Sequence, residues 1–266
     1  LIDEATQATE PASLVALTRG ARQVVLVGDH KQLPPTVISF RAEEKGLKRS
    51  LFERLVDLGI EPLLLSTQYR MHPSISKFPN QHFYSGRLND GVKSENRPSP
   101  AGLLWPDWDN PVAFIPVDGG EVVSPDGTSR ENPTEVSWVI KILNEILEAG
   151  EITKKDIGII TPYAGQVRAI RNSMSENLDD VEVKTVDGYQ GREKEVIIFS
   201  CVRSNAEQNV GFLSEMRRLN VALTRAKRGL IVIGDPATLR GDKNWRAWLE
   251  YVRDSKFEAW HLLGMT

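Results

Sequence analysis

Cysteine is nearly missing from this sequence, since its 266 residues include only one, Cys201. One cysteine allows no internal disulfide and no cysteine cluster around a metal, which favours a reducing compartment. Long apolar runs are missing too, because none approaches the roughly 18 residues that a membrane-spanning helix needs. No charged-then-apolar leader opens the chain. We therefore expect neither a membrane span nor an intact secretory signal.

An excess of basic charge is also missing. The chain has 33 Lys and Arg against 36 Asp and Glu, a net charge of −3, whereas nucleic-acid-binding domains are usually basic. The average hides one exception, the segment 184–228, with nine basic and five acidic residues, 9 − 5 = +4, so that the remainder carries −3 − 4 = −7. Composition alone argues against a nucleic-acid partner, and this segment argues for one.

A glycine followed by lysine is the third missing feature. None of the 20 glycines precedes a lysine, so the chain contains no phosphate-binding loop of the form GxxxxGK[ST]. The chain also opens on Leu1-Ile2-Asp3-Glu4, without a methionine, a cap or a turn. We expect it to be part of a longer polypeptide.

Short, β-branched apolar runs recur along the chain. They cover residues 24–27, 63–65, 112–117, 157–160, 196–202 and 230–233. Runs that are apolar on both faces and alternate with amphipathic segments are typical of buried parallel strands joined by helices. The predicted fold class is α/β with a parallel sheet.

The clearest helix is predicted over residues 133–149. Asn132 can cap it, Pro133 suits its first turn and Gly150 can end it. Weaker helical patterns cover 11–17, 50–57, 164–178 and 214–227, and residues 89–111 have no sustained periodicity. A boundary between two parts of the chain is expected near residues 65–69.

Two carboxylates, Asp3 and Glu4, follow the apolar pair Leu1-Ile2. The carboxyl end of a buried strand is where open α/β sheets place their sites. There Asp3 could hold magnesium and Glu4 could polarise an attacking water. The alternative is a solvated acidic pair at the start of a loop.

The run 24–27 ends in a second polar loop, Gly28-Asp29-His30-Lys31-Gln32-Leu33-Pro34-Pro35. The amide of Gln32 could sense a terminal phosphate, and the two prolines would stiffen the turn. By itself the loop could equally be an ordinary turn after a strand. Two strand ends with matching polar loops favour a shared site.

Two further stretches carry groups suited to a nucleotide. In Gln68-Tyr69-Arg70, the guanidinium can bridge phosphate oxygens and the ring can stack on a base, or both can be ordinary surface residues. In the predicted helix 214–227, Arg218, Val221 and Arg225 share one face, so that Arg225 would reach across a cleft. A basic, solvated helix is the alternative.

Six motifs occur in a fixed order. They read DEATQATEP, GDHKQLPP, QYRMHP, TPYAGQ, TVDGYQGREKEV and RRLNVALTRAK. Their order resembles motifs II, III and IV, the nucleic-acid-contacting segment, and motifs V and VI of superfamily 1B RNA/DNA helicases of the up-frameshift type. The resemblance covers nearly the whole chain and thins across 89–130 and after 242.

The resemblance implies two RecA-like domains of the P-loop NTPase fold. Residues 1–66 would be the C-terminal remnant of the first, with motifs II and III. Residues 67–250 would be a complete second domain with motifs IV, V and VI, and residues 251–266 a C-terminal tail. The Walker A lysine would lie upstream of Leu1.

The resemblance also implies roles for single residues, with ATP and Mg²⁺ as cofactors. Asp3 would hold the magnesium, Glu4 would orient the hydrolytic water and Gln32 would contact the γ-phosphate. In the second domain, Tyr69 would stack on adenine, Arg70 would contact the γ-phosphate and Glu193 would bind the ribose. Gly191 would lie beside Glu193 at the nucleotide, and Arg225 would be the arginine finger. The residues that contact the nucleic acid would be Pro34, Thr161, Tyr163, Thr185 and Gln190.

The function implied is ATP-dependent 5′ to 3′ translocation on, and unwinding of, RNA or DNA, with mRNA quality control as one role. The expected partner is single-stranded RNA or DNA, and decay or termination factors would bind outside this chain. The protein is expected to be a monomer that acts in the cytoplasm and also in the nucleus. The chain alone is expected to be inactive. A non-hydrolysing RNA-binding remnant, and a DNA or transcription-termination helicase of the same superfamily, are the alternatives.

Overall fold

The computed structural model describes residues 1–263. The chain forms two compact units, the first comprising Leu1–Leu65 and the second beginning at Ser66. The predicted boundary, between residues 66 and 67, lies one residue further along the chain.

Three short helices form the first unit: α1 (Glu10–Leu17), α2 (Phe40–Glu44) and α3 (Leu51–Asp57). Hydroxyl groups cap two of them, since Ser39 Oγ accepts from Ala42 N at 3.3 Å and Ser50 Oγ accepts from Glu53 N at 3.0 Å. Such caps satisfy amide groups that the first turn leaves without a partner. The predicted helices at 11–17 and 50–57 are confirmed.

The strands predicted in the first unit are wrong. Residues 24–27 form a single parallel bridge, Ile2 to Leu26, and residues 63–65 form no strand. Val25 is 57% exposed and Leu63 98% exposed. An apolar run becomes a buried strand only where neighbouring strands take up its amide and carbonyl groups and helices cover it. Within residues 1–65 the run 24–27 has only the segment around Ile2 beside it.

Nine strands lie in the described part of the second unit. They are β1 (Thr67–Gln68), β2 (Asn89–Asp90), β3 (Val112–Pro116), β4 (Val122–Val123), β5 (Arg130–Glu131), β6 (Ile157–Thr161), β7 (Glu182–Thr185), β8 (Lys194–Ser200) and β9 (Ala226–Gly234). Five of them form a parallel sheet in the order β3-β9-β8-β6-β7, while β1 pairs with β2 and β4 with β5. The predicted α/β class with a parallel sheet is confirmed, and so are the runs at 112–117, 157–160, 196–202 and 230–233.

Six helices surround this sheet. They are α4 (Pro73–Phe83), α5 (Pro133–Glu148), α6 (Ala164–Ser173), α7 (Met216–Leu223), α8 (Pro236–Leu239) and α9 (Lys243–Asp254). Helix α5 confirms the prediction at 133–149, because Asn132 Oδ1 accepts from Glu135 N at 3.1 Å. None of the helices within residues 1–263 has the length and apolar character that crossing a bilayer demands.

The core lies on both faces of the central strands, because successive side chains of a strand point to opposite faces. Ile198 of β8 joins the cluster that contains Val139 and Leu143 of α5. Its neighbour Phe199 stacks on Trp245 of α9, with ring centroids 6.0 Å apart. This double cover explains why the strands are apolar throughout.

Two predicted helix ends are wrong. The helix predicted at 214–227 ends at Leu223, and Ala226 already begins β9. Residues 226–234 pair with both β8 and β3, and this ladder overrides a helical periodicity that is only a weak preference. The helix predicted at 164–178 ends at Ser173, followed by a separate turn of 3₁₀ helix at Glu176–Leu178.

Residues 251–263, expected as a tail, extend the fold of the second unit. Residues 251–254 complete α9. Phe114 N of β3 donates to Phe257 O at 2.9 Å, and Ala259 N donates to Phe114 O at 2.8 Å. These bonds add a short edge to β3. Residues 264–266 lie outside the described residues.

Candidate functional site

Asp3 and Glu4 lie directly after Ile2, the residue that bridges to Leu26. Both side chains are exposed. Glu4 has a φ of +50°, which a residue other than glycine seldom adopts, and its amide donates to Asp3 Oδ1 at 2.9 Å. Gln7 Nε2 donates to Glu4 Oε2 at 2.6 Å. The two carboxylates are thus oriented by local hydrogen bonds at a tight turn.

The loop at Gly28 lies beside that turn. Val27 N donates to Ile2 O at 2.9 Å, and a Cβ on Gly28 would lie 3.0 Å from the backbone nitrogen of Thr6. Farther along, Gln32 Nε2 donates to Asp29 Oδ2 at 2.9 Å. The structure therefore brings the two predicted polar loops of the first unit together. Pro34 is half-buried beside them.

Arg70 and Glu193 form an ion pair in the second unit. Arg70 Nε lies 2.5 Å from Glu193 Oε2, and Arg70 Nη1 donates to Thr224 O at 3.0 Å. Lys227 Nζ lies 3.2 Å from the other oxygen of Glu193. Burial acts to raise the pKa of Glu193, but the bonds and charges of Arg70 and Lys227 outweigh it and lower the pKa. Glu193 is therefore a carboxylate at neutral pH.

Arg225 lies next to this pair, in the turn between α7 and β9. Its side chain is almost fully buried, with Nε donating to Val221 O at 3.0 Å and Nη2 to Thr224 Oγ1 at 2.8 Å. Glu193 and Arg225 directly precede the paired strands β8 and β9, so both lie at the amino ends of these strands. We call Arg70, Glu193 and Arg225 the amino-end cluster.

Tyr69 leads into Arg70 and is 68% exposed. Its ring lies against Gly91, where any Cβ would collide with the ring. Arg97 holds the backbone here, since its Nε donates to Arg70 O at 3.0 Å and its Nη2 to Tyr69 O at 3.3 Å. Sequence reasoning missed Arg97, because it lies in the stretch 89–111, which has no periodicity.

Thr161 and Thr185 lie at the opposite end of the sheet, where β6 and β7 finish in register. Thr161 is fully buried, and its Oγ1 has no hydrogen-bond partner among residues 1–263. Thr185 is half-buried, and Gly188 N donates to its Oγ1 at 3.3 Å. Gln190 and Gly191 belong to the connection that runs from this end back to β8.

Tyr163 is buried, with 5% of its surface exposed. Its hydroxyl oxygen accepts from Arg203 Nη1 and from Phe212 N, both at 3.3 Å. The expected contact of Tyr163 with nucleic acid stays a prediction. The aromatic ring that is exposed at this place belongs to Phe212, which sequence reasoning missed although it stands between Gly211 and Leu213 in a polar loop.

A third feature that sequence reasoning missed is a buried polar network at the carboxyl end of β8. Both carboxylate oxygens of Glu135 accept from Val202 N at 2.9 Å, and Ser200 Oγ donates to Glu135 Oε2 at 2.6 Å. Gln166 Nε2 donates to Ser200 Oγ at 2.9 Å. Burial raises the pKa of Glu135 to about 8, although these bonds act in the opposite direction. Val202 has a φ of +74°, so this network holds a β-branched residue in a conformation that it seldom adopts.

The surroundings of the basic segment 184–228 carry less positive charge than a count of its own residues suggests. Acidic residues from outside the segment pair with it: Glu182 with Lys184, Arg192 and Lys194, Glu121 with Arg203, and Glu151 with Arg228. Three carboxylates therefore offset most of its excess of +4. A large basic surface cannot be inferred from the charge count.

Family models match two parts of the chain. Residues 47–237 match a model described as an AAA domain, and residues 1–40 match a second model of the same description. The first match covers well over half of the chain.

Curated relatives match nearly the whole chain. The chain is 47% identical over 263 residues to the regulator of nonsense transcripts 1 homolog of Drosophila melanogaster, with 96% of this chain and 22% of the relative covered. It is 45% identical over 262 residues to the ATP-dependent helicase NAM7 of Saccharomyces cerevisiae, covering 96% and 27%. For the ATP-dependent helicase upf1 of Schizosaccharomyces pombe the identity is 45% over 265 residues, covering 97% and 28%.

The chain thus spans about a quarter of the length of the relatives it matches. Their names agree with the family that the six ordered motifs indicate. With the model match over residues 47–237, the chain belongs to the AAA domain family, in the up-frameshift branch of the superfamily 1 helicases.

Proposed function

We propose that this chain provides part of the ATP-hydrolysing and strand-binding machinery of a helicase that moves 5′ to 3′ on RNA or DNA. The observation that carries the proposal is the amino-end cluster. It combines two guanidinium groups and one carboxylate around Thr224, with the exposed ring of Tyr69 next in sequence. Guanidinium groups are suited to phosphate oxygens, and an exposed ring is suited to a base.

Asp3 and Glu4 fit a magnesium site that is completed by a substrate. Among the described residues no three side chains of the metal-binding types converge, so the protein alone forms no closed cage. Magnesium is usually held by one or two carboxylates together with phosphates and water. Asp3 would hold it. When bound, it would neutralise charge on the phosphates of ATP.

In the hydrolytic step, Glu4 would orient the attacking water and accept its proton, while Gln32 would contact the γ-phosphate. Arg70 and Arg225 would stabilise the charge that develops on the phosphoryl oxygens. Tyr69 would stack on adenine, Glu193 would bind the ribose, and Gly191 would contact the same nucleotide.

The ion pair between Arg70 and Glu193 suggests how nucleotide binding is sensed. A γ-phosphate competes with Glu193 for Arg70, so ATP would exchange one partner of this guanidinium for another and release Glu193 to the ribose. After hydrolysis the original pair re-forms. This exchange gives two states of the second unit that ATP can select.

Single-stranded RNA or DNA would bind through its backbone, which is sequence-independent and sensitive to salt. Pro34, Thr161, Tyr163, Thr185 and Gln190 are the proposed contacts. We infer a monomer acting in the cytoplasm and also the nucleus, with decay or termination factors binding other parts of a longer protein.

The test compares the 266-residue chain with a chimera, in which residues 1–263 replace the matching region of the Saccharomyces helicase. We expect negligible ATP turnover by the chain alone, since it has no GxxxxGK[ST] motif. We expect turnover by the chimera, and Glu4→Gln should lower it by about 10²- to 10⁴-fold, the usual contribution of a general base.

Glu44→Gln is the matched control, because Glu44 is an exposed carboxylate of α2 in the same unit. Its turnover should equal that of the unchanged chimera. Turnover by the isolated chain that is lost on Glu4→Gln would contradict the proposal. A chimera that binds RNA without hydrolysing ATP would favour the alternative of a non-hydrolysing remnant.

A further inference from the structure

A cavity of about 400 Å³ opens at the carboxyl end of the sheet in the second unit. It is lined by Val123 of β4, by residues 127–129 of the following loop and Arg130 of β5, and by Tyr163, Arg203, Gly211 and Phe212. Its size falls within the range of about 300 to 1,000 Å³ that small-ligand sites occupy. The carboxyl ends of parallel strands are where open α/β sheets bind ligands.

Phe212 is the exposed aromatic of this cavity. The residue is 58% exposed, although its backbone is held by the bond from its amide to the Tyr163 hydroxyl. The ring lies 5.4 Å from the Tyr163 ring, and the Arg218 guanidinium carbon lies 5.5 Å from its centroid. The ring is thus supported by two neighbours while it stays accessible to a ligand.

Gly211 makes this placement possible. It has a φ of +53°, and a Cβ here would collide with Arg203 and with the Tyr163 hydroxyl. Any other residue would push the loop away from β6. The sequence Gly211-Phe212 therefore fixes a ring at the mouth of the cavity by backbone geometry.

The charge of the cavity is +1. Arg130 Nη1 lies 2.9 Å from Glu121 Oε1, and Arg203 Nε lies 2.6 Å from Glu121 Oε2, so two guanidinium groups share one carboxylate. Arg218, above the Phe212 ring, is paired with Asp187 at 3.1 Å. One uncompensated positive charge beside an aromatic ring complements one phosphate and one base.

We propose that Phe212 is a stacking platform for one base of a bound single strand, with Arg130 and Arg203 facing the neighbouring phosphate. The stacking platform rests on the proposed function, and it specifies one contact between the second unit and the bound strand. Base stacking on an aromatic side chain is sequence-tolerant, because every base has a π-face. The site would therefore hold the strand without selecting its sequence.

The test measures the dissociation constants of the 266-residue chain for fluorescein-labelled oligouridylate and oligothymidylate. Phe212→Leu should weaken binding about 5- to 140-fold, which corresponds to the loss of one stacked base. Phe212→Tyr should restore it, because the ring is kept. The control is Trp108→Leu, which removes an aromatic of the same unit that is 54% exposed and should change nothing.

Two further readouts separate stacking from a change in fold or charge. The thermal midpoint of Phe212→Leu should match that of the unchanged chain, because the side chain is largely exposed. The slope of log affinity against log salt should also stay the same, since stacking releases no counterions, whereas Arg130→Gln should make it shallower by about 1 or less.

The outcomes distinguish this proposal from the proposed function. If the unchanged chain binds and Phe212→Leu binds equally well, the stacking platform is wrong and the helicase function stands. If Trp108→Leu weakens binding as much as Phe212→Leu, the effect is not specific and the platform is wrong. If the unchanged chain binds neither strand, both proposals fail for this chain.

Discussion

Replacing Arg225 by alanine in the chimera with the Saccharomyces helicase should lower ATP turnover by about 10³- to 10⁵-fold, the range known for arginine fingers. Arg225 carries a guanidinium in the amino-end cluster, where the ion pair of Arg70 and Glu193 is the neighbouring charged group. The affinity for ATP should fall much less, because a guanidinium in the proposed role would act on charge that develops in the transition state.

Arg225→Lys tests whether geometry or charge matters. It keeps the positive charge but loses the planar fork that bonds Val221 O and Thr224 Oγ1. We expect turnover to stay low. The control is Arg253→Ala, which removes an exposed arginine of α9 paired only with its neighbour Asp254 among the described contacts.

A structural role alone would give another pattern. In that case Arg225→Ala would lower the thermal midpoint and the ATP affinity, and turnover of the remaining folded protein would fall less than tenfold. Turnover is therefore measured per folded molecule, with the folded fraction taken from the unfolding curve.

The sheet of the second unit could be predicted because a parallel sheet covered on both faces needs strands that are apolar throughout. Residues 157–160 and 196–202 meet that condition and lie in β6 and β8. Residues 24–27 and 63–65 carry the same pattern in the first unit and form no sheet. Periodicity describes what a segment can bury, and the neighbouring strands decide whether it is buried.

The position of Arg225 could not be predicted from periodicity. Spacing of three and four continues through Leu219, Leu223 and Ala226, yet Ala226 pairs with Lys194 in the sheet. A turn two residues long then separates helix from strand. Arg225 lies in that turn, which brings it to Glu193 and Arg70 instead of placing it on a helix face.

In the candidate site, too, some residues could be predicted from the sequence and others could not. The resemblance of the six ordered motifs pointed to Arg70, Glu193 and Arg225, which the structure places around Thr224 at one end of the sheet. Nothing in the neighbours of Glu135 in the sequence predicts that both its oxygens accept from Val202 N. Contacts between residues 67 positions apart leave no local pattern in a sequence.

Replacing Glu135 by alanine should lower the free energy of unfolding by about 3 to 5 kcal/mol, the usual effect of removing one member of a buried charged or polar network. Val202 N and the Ser200 hydroxyl would lose their acceptor. Val202 would then be held at a φ of +74° by fewer bonds, and Arg203 follows it directly. Glu148→Ala, at an exposed site of the same helix, should change stability by about 0.5 kcal/mol or less.

The pH dependence of this effect has a definite sign. Because burial raises the pKa of Glu135 from its ordinary value of 4.5 to about 8, the native state keeps a proton between these values that the unfolded chain releases. Stability from this group is therefore complete below about pH 4.5 and is lost as the pH rises through about 8.

Glu135→Gln removes that titration while it keeps the shape and one oxygen acceptor. The stability advantage of the unchanged protein over Glu135→Gln should therefore be largest near pH 5 and should shrink towards pH 9, as measured by urea unfolding at each pH. An advantage that grows with pH would mean that Val202 N and the Ser200 hydroxyl hold Glu135 as a carboxylate in the native state, with a pKa below its ordinary value. The affinity of Glu135→Ala for a single strand is measured under conditions where the variant is folded. Whatever the pH dependence, a loss of affinity would indicate that this network positions Arg203 beside Phe212.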